Sequence, residues 1–381
     1  MNGNKVETAA DKSENLVEET VLDGSTSTST YFESYEDFTV HRLMLEDIPR
    51  TESYKRAITL SNMFKNKLVM DVGAGTGILS LFCAQAGAKK VYAVEASKIA
   101  LIALENVKEN NFADVVEVIQ SRVEDLPESI KVDIIVSEWM GFYLLHESMI
   151  DSVIHARDKH LKPGGTIFPE YATLNCALCS ASPLFTTNWD NIFGHKMSSM
   201  KVLERQSLMA KPQVEMLEEE DILSVSRNIL TIDMNSVTVQ DVSAIRSKVF
   251  ISTHKSGIYQ GVVLWFDVTF PEPDEENEEA SAEIVQLDTS PFSPQTHWKQ
   301  TIILWPEDRE VEEGDIVAFE LFLGRSNPES RSYVIQLSEL DAATEEHPVP
   351  CECGSAKCDV VRAFLENCDD NNEDQDMVSI N

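Results

Sequence analysis

The sequence predicts an α/β domain with a parallel sheet, followed by a mostly antiparallel β domain. Three observations carry this. Between residues 68 and 169, short apolar runs alternate with helical patterns, as in a parallel sheet covered on both faces. A glycine-rich turn stands where the first apolar run meets the first helical pattern. After Pro169, β-rich runs follow one another with few helical patterns, which reads as a barrel or a sandwich.

The 381 residues allow two or three domains of about 150 residues each. Residues 1–30 are polar, with six acids against two lysines and a Ser/Thr-rich end, and read as a disordered acidic segment. Residues 31–168 form the first unit. Tyr31, Phe32, Tyr35 and Phe38 share a helical face, and Val40, Met44, Leu45 and Ile48 continue the spacing. Pro49 interrupts, and a second helix is expected over 51–63. Strands are expected at 68–72, 91–95, 115–119, 132–137 and 166–169. Helices fit at 78–86, 97–109 and 146–161, the last closed by Pro163-Gly164-Gly165.

Residues 169–340 form the second unit, with β-rich runs at 172–181, 229–234, 248–253, 258–270, 301–305, 316–323 and 332–337. Residues 185–200 are irregular and aromatic and read as a projecting arm. Residues 271–283 hold seven acids and no base, the pattern of a solvated loop. Residues 341–381, with eleven acids against two bases, read as a mobile acidic tail containing cysteines.

Composition narrows the function classes. Hydrophobic residues are 43% and charged residues 25%, ordinary for a globular protein. No apolar run reaches the 18 or so residues that span a bilayer, and the first 30 residues have no apolar stretch like a signal peptide's; neither secretion nor membrane residence is expected. The net charge of −34 repels phosphate backbones, so direct nucleic-acid binding is disfavoured. The same charge attracts basic partners, although plain solubility is its ordinary reading. Seven cysteines, four of them in the last 31 residues, make a reduced, intracellular pattern rather than a disulfide framework.

The glycine-rich turn reads Asp71-Val72-Gly73-Ala74-Gly75-Thr76-Gly77. Glycines at a strand-to-helix turn let a ligand approach the backbone. A dinucleotide fingerprint needs its third glycine where Ile78 stands. The observed spacing, with an acid two residues before the first glycine, resembles the loop of S-adenosylmethionine-dependent methyltransferases. Glu95 ends the second strand, 20 residues after Gly75, where an acid can accept hydrogen bonds from both ribose hydroxyls. Asp71 suits orienting the loop rather than touching the ligand.

Beyond the fourth strand, Glu138 and Glu147 flank a Gly-containing turn. Nine residues apart, they can fold back as a hairpin with converging carboxylates. The bland reading makes Glu147 a first-turn helix acid favoured by the dipole and Glu138 a solvated loop end.

The motifs Tyr31-Phe32-Glu33-Ser34-Tyr35, Asp71 to Gly77, Glu138 to Glu147 and Thr296-His297-Trp298 together resemble those of the type I protein arginine N-methyltransferases. The likeness runs over residues 31–337, about four-fifths of the chain. The run Phe82-Cys83-Ala84-Gln85-Ala86-Gly87-Ala88, followed by Tyr92-Ala93-Val94-Glu95-Ala96-Ser97, is most similar to the nuclear, histone-directed subgroup. The resemblance implies a Rossmann-like S-adenosylmethionine-binding domain, then an antiparallel β-barrel domain with a helical dimerisation arm at 185–200. It implies that Glu138 and Glu147 grip the substrate guanidinium, and that Arg50 pairs with the carboxylate of the cofactor's methionine part. His41 and Gly73 match further cofactor contacts, Glu95 the ribose acid, and Val123 and Glu124 the adenine contacts. Met44 and Met149 match methionines lining the arginine pocket; Tyr31 and Tyr35 read as a lid closing over cofactor and arginine, or as part of a plain hydrophobic helix face. His297 matches a histidine of the second domain, with Asp47 its partner. It implies mono- and asymmetric dimethylarginine as products, histone tails and other nuclear Arg-rich proteins as substrates, a homodimer, and residence in the nucleus, with the cytoplasm as a second compartment.

Arginine remains protonated, with a pKa above about 12, and its delocalised charge makes it a poor nucleophile. Two carboxylates gripping it asymmetrically concentrate charge on one nitrogen and leave electron density on another. The departing proton admits two readings of His297 and Asp47: a relay, or a latch between the N-terminal helix and the second domain.

The chain departs from the family pattern at Arg42 and Leu43, where acids are usual, and most strongly in its tail. Cys351-Glu352-Cys353 and Cys358 have Cys-x-Cys-x₄-Cys spacing, like the zinc-binding tail of an unrelated lysine methyltransferase class, with Cys368 as candidate fourth ligand; the alternative is incidental thiols. No metal is assigned to the reaction. Rival functions are a methyltransferase for a nucleic-acid base or small molecule and a cofactor-binding scaffold. Base amino-methylases carry Asn/Asp-Pro-Pro-aromatic where Ser137-Glu138-Trp139-Met140 stands here, and the intact acid pair argues against decay to a scaffold.

Overall fold

The computed structural model describes residues 37–60, 62–272, 284–327 and 330–365. Tyr31, Tyr35, Cys368 and most of the acidic 271–283 stretch lie outside them. Two helices come first, α1 (Phe38–Glu46) and α2 (Ile48–Thr59). The chain breaks at Asp47 rather than at Pro49, which sits in the first turn of α2, where its missing N–H is no loss. Asp47 Oδ1 caps α2 by accepting the Arg50 N–H at 3.0 Å.

The first domain alternates β1 (Leu68–Val72), α3 (Ile78–Gln85), β2 (Lys90–Glu95), α4 (Ala100–Glu109), β3 (Val116–Gln120), β4 (Val132–Val136), α5 (Ile150–His160) and β5 (Leu161–Phe168). Its sheet order is β3-β2-β1-β4-β5, and every pairing is parallel. β1 and β4 are Val- and Ile-rich and buried on both faces, as central parallel strands must be. Two expected helices are shorter than their patterns. α4 starts at Ala100, and α5 starts at Ile150 after an irregular turn at His146–Ser148. Pro163-Gly164-Gly165, read as a helix stop, lies within β5, where the pairing with β4 slips between Val132 and Ile134.

The second domain holds β6 (Tyr171–Cys179), α6 (Ser198–Met209), β7 (Gln213–Glu215), β8 (Arg227–Asp233), the short α7 (Val239–Ser243), β9 (Ala244–Ser252), β10 (Gly257–Thr269), β11 (Gln286–Asp288), β12 (Gln300–Val311), β13 (Ile316–Arg325) and β14 (Tyr333–Leu340). These make a six-stranded sheet, β7-β12-β10-β6-β8 with β11 beside β10, and a three-stranded sheet, β14-β13-β9. Their inner faces share one core, with Val262 and Leu264 of β10 in the same cluster as Val249, Phe319 and Leu321. The barrel expected from the resemblance is thus two antiparallel sheets enclosing a core, bridged at Ser224 and Thr253. The arm is irregular through Met197 and then becomes α6, none of whose residues is buried.

The tail differs from the expectation of mobility over residues 341–365. Cys351, Cys353 and Cys358 are buried against Phe250 and Ala318, and a helix begins at Ala356.

Candidate active site

The parallel sheet reverses its winding between β1 and β4, and a crevice opens beyond the carboxyl ends of such strands. Ser137 Oγ closes the floor by donating to the Val72 carbonyl at 2.7 Å. Gly73, Gly75 and Gly77 then turn with φ of 76°, 53° and 88°, values that L side chains resist. The Gly73 and Ala74 N–H groups donate to the Val94 carbonyl at 2.9 and 3.0 Å. Glu95 fixes the loop through both oxygens, accepting from the Gly75 N–H at 2.9 Å and the Ser97 N–H at 2.8 Å.

Asp71 sits behind the loop, fully buried. Ser80 Oγ donates to its Oδ2 at 2.6 Å, tying β1 to α3, while Oδ1 has no partner among the described residues. Burial pushes its carboxyl up to about 7, against the Ser80 hydrogen bond that favours the charged form. It holds the loop from behind and does not line the cleft.

The fourth-strand loop is folded against its own preferences. Tyr143, Leu144, Glu147 and Ser148 all have positive φ, from 43° to 70°, which is unfavourable by roughly 1–2 kcal/mol for each such residue. Surrounding bonds impose the shape. The Gly141 N–H donates to the Leu144 carbonyl at 3.0 Å, Tyr143 Oη pairs with His146 Nδ1 at 2.8 Å, and Arg331 Nη1 donates to the Glu147 carbonyl at 2.9 Å. Tyr54 Oη holds the Ser137 carbonyl at 2.9 Å and Trp298 Nε1 the Met140 carbonyl at 3.0 Å. A Cβ at Gly141 would lie 2.2 Å from the His146 carbonyl oxygen, so only glycine fits. Glu147 is therefore not a first-turn helix acid: its φ of 70° is non-helical, and it is half-buried in the cleft wall.

Glu138 already holds a guanidinium. Arg50 Nε and Nη2 donate to its Oε2 at 3.1 and 2.9 Å, with only 7% and 9% of the two side chains exposed. Arg50 Nη1 also donates to the Met44 carbonyl at 3.2 Å. Across the cleft, His297 Nδ1 lies 2.6 Å from Asp47 Oδ2, which also accepts the His297 backbone N–H at 2.8 Å. Burial pushes the Asp47 carboxyl up, but the His297 and Arg50 hydrogen bonds outweigh it and hold it below the usual range. Glu124 is likewise held low, its burial outweighed by the Ser152 hydroxyl at 2.8 Å and by Arg122.

One cavity is lined by His41, Met44, Arg50, Gly73, Glu95, Val123, Glu124, Glu138, Glu147, Met149 and His297. Asp47 supports it from behind His297, and Tyr31 and Tyr35 lie outside the described residues. Sequence reasoning missed Arg331, Ser152 and Arg122, which line the same space. None stands in a motif, so no local signal marks them.

The cavity fits a nucleoside bearing an amino-acid part. At Gly73 the Met149 ε-methyl packs onto the backbone, 2.7 Å from where a Cβ would stand. Glu95, the apolar Val123 and the buried Arg50 all line it.

Fold and site together define an S-adenosylmethionine-dependent methyltransferase with a β domain closing its cleft. Residues 170–339 match the family model for the arginine methyltransferase oligomerization subdomain, and residues 9–168 that for ribosomal protein L11 methyltransferase. The chain is 40% identical over 333 residues to protein arginine N-methyltransferase 6 of Danio rerio, covering 86% of this chain and 93% of that one. It is 37% identical over 320 residues to protein arginine N-methyltransferase 1 of Saccharomyces cerevisiae, covering 82% and 88%. Among solved structures, the PRMT1 enzyme–prozyme heterotetramer of Trypanosoma brucei with AdoHcy superposes with a TM-score of 0.69, at 33% identity, over 81% of this chain and 100% of that chain. A PRMT6–SAH structure gives 0.67 at 29% identity, over 80% and 100%. The chain belongs to the protein arginine N-methyltransferases.

Proposed function

We propose that this protein is a type I enzyme that forms mono- and then asymmetric dimethylarginine in histone tails and other nuclear Arg-rich proteins, working as a homodimer. The observation that carries the reading is the cleft itself: Glu138 and Glu147 line one cavity with the glycine loop, and Glu138 already binds a guanidinium.

S-adenosylmethionine, when bound, supplies an electrophilic methyl group. Gly73, His41, Glu95, Val123 and Glu124 are the residues to hold it, with Arg50 the cation for its carboxylate. Glu138 and Glu147 accept the N–H groups of a substrate arginine, orient its plane and polarise it. Being fixed before the substrate arrives, they stabilise the shifting positive charge without reorganisation. Met44 and Met149 bound the side-chain slot and limit how a methylated nitrogen sits in it. Asp47, bonded to Nδ1 of His297, fixes the tautomer that leaves Nε2 free to take the departing proton.

The net charge of −34 favours basic tails as substrates over nucleic acid, and nuclear residence follows from those substrates. The homodimer is supported by the arm, where Phe193, Val202 and Leu203 are exposed. Leu101 and Ile102 of α4 are exposed too and offer an apolar seat on a second copy.

The test is mass spectrometry of the products formed on a histone-tail peptide and an Arg-Gly-rich peptide. Asymmetric dimethylarginine on the histone peptide is expected. Symmetric dimethylarginine, or methylation of the Arg-Gly peptide alone, overturns the assignment.

A further inference from the structure

The tail carries a second constellation, away from the cleft. His347 Nδ1 lies 3.5, 3.3 and 3.2 Å from the sulfurs of Cys351, Cys353 and Cys358, and all four ligand atoms fall within 4.8 Å of one another. We propose that His347, Cys351, Cys353 and Cys358 form a closed tetrahedral zinc site that clamps the tail onto the outer face of the β14-β13-β9 sheet.

The distances suit the ion. Sulfur at about 2.3 Å and imidazole nitrogen at about 2.0–2.1 Å from a tetrahedral zinc stand about 3.5 Å apart. The imidazole is set for ligation as well. His347 Nε2 lies 2.8 Å from the Ala342 carbonyl oxygen. Nε2 therefore carries the proton and Nδ1 turns its lone pair toward the sulfurs, the arrangement in which a backbone carbonyl fixes a ligating histidine. The ring also packs on Phe250, with centroids 4.0 Å apart.

The sheet supplies a matching wall. In β9, Val249 and Ile251 face the main core, whereas Phe250 between them points the other way, into the cluster with the three cysteines. Ala318 of β13 does the same beside Phe319. Arg227 holds the Glu352 carbonyl, and Lys248 Nζ meets Glu345 Oε2 at 2.8 Å. Three sulfurs converging on one nitrogen do not form the pairs a disulfide requires, and these cysteines are free. Three thiolates and an imidazole select zinc over harder divalent ions. With all four positions filled by protein, the site is structural rather than catalytic. The thiol protons go to solvent as the ion binds, and binding is coupled to ordering of the tail. His347 takes the place the sequence offered to Cys368.

The test is the metal content of the untagged full chain, read by mass spectrometry, with cobalt exchanged for zinc. One equivalent of zinc is expected, with tetrahedral thiolate bands in the cobalt form. Cys353→Ser and His347→Ala should lose the metal, and Cys368→Ser should keep it. Chelation should speed tryptic cleavage after Lys357, which is exposed but held in the clamped tail, while the peptide methyltransferase activity persists. A wild-type chain without zinc, zinc retained by both Cys353→Ser and His347→Ala, or zinc lost only in Cys368→Ser overturns the proposal. The wild-type cobalt spectrum decides the matter even where a variant tail unfolds.

Discussion

Glu138→Gln separates two roles that one carboxylate combines. The side chain lines the cleft, and it is also the counter-ion of Arg50, whose guanidinium is 5% exposed as a residue and bonded to a single oxygen at 2.9 and 3.1 Å. Removing one member of a buried ion pair typically destabilises by about 3–5 kcal/mol, because the other charge stays buried. Glutamine's amide oxygen still accepts one N–H, so the lower end applies, about 3 kcal/mol. At about 2 °C per kcal/mol for a large chain, the unfolding midpoint should fall by roughly 6 °C. Thermal unfolding followed by circular dichroism reads this. With Arg50 as the proposed cation for the cofactor's carboxylate, saturating S-adenosylhomocysteine should raise the midpoint of the variant more than that of the wild type. Turnover should collapse in either case. Equal midpoints for variant and wild type, or a smaller rescue in the variant, would refute the counter-ion role.

Glu147→Gln should lower turnover by about 10²-fold or more, as when one preorganised electrostatic partner is removed, while calorimetry still finds cofactor binding. Lost cofactor binding would move Glu147 to the cofactor's side of the cleft. Asp47→Asn keeps the helix cap but removes the charge beside His297. Because the folded carboxyl lies below its unfolded value of about 3.9, its stabilisation is complete above that pH and is lost as pH falls through the lower folded value. The variant's acid unfolding should lack this component and its turnover should fall. Normal turnover with a loosened N-terminus would make the pair a latch. Gly141→Ala must displace the His146 carbonyl oxygen, 2.2 Å from the new Cβ, and so should abolish turnover; an active variant would show that the hairpin is not needed. Val202→Asp with Leu203→Asp should yield monomers by sedimentation, and an intact dimer would place the interface elsewhere.

The order of strands and helices in the first domain was legible because buried parallel strands are continuous apolar runs, as in β1 and β4. The glycine loop and Glu95 were legible from spacing alone. The start of α5 was not. His146, Glu147 and Ser148 look helical in pattern, but Glu147 and Ser148 take positive φ, and the Arg331 bond that helps hold the turn comes from far along the chain. Arg331 carries no local signal for the same reason: it reaches Glu147 across 184 positions. The Arg50–Glu138 pair leaves no sequence signal, because its members stand 88 positions apart in separate motifs. In the tail, acidity suggested mobility, whereas Phe250 and Ala318 on the outer sheet face anchor it, a pairing that only the register of β9 and β13 discloses.

Two bonds give the cleft a history. Asp47 reaches His297 across 250 positions, and Met140 reaches Trp298 across 158. During synthesis the acids and the glycine loop leave the ribosome first, and the ring that completes their surroundings follows more than a hundred residues later. On the proposed mechanism, a nascent chain cannot modify a passing arginine until more than three-quarters of its 381 residues have been translated, and a product truncated before His297 should be inert however well its first half folds.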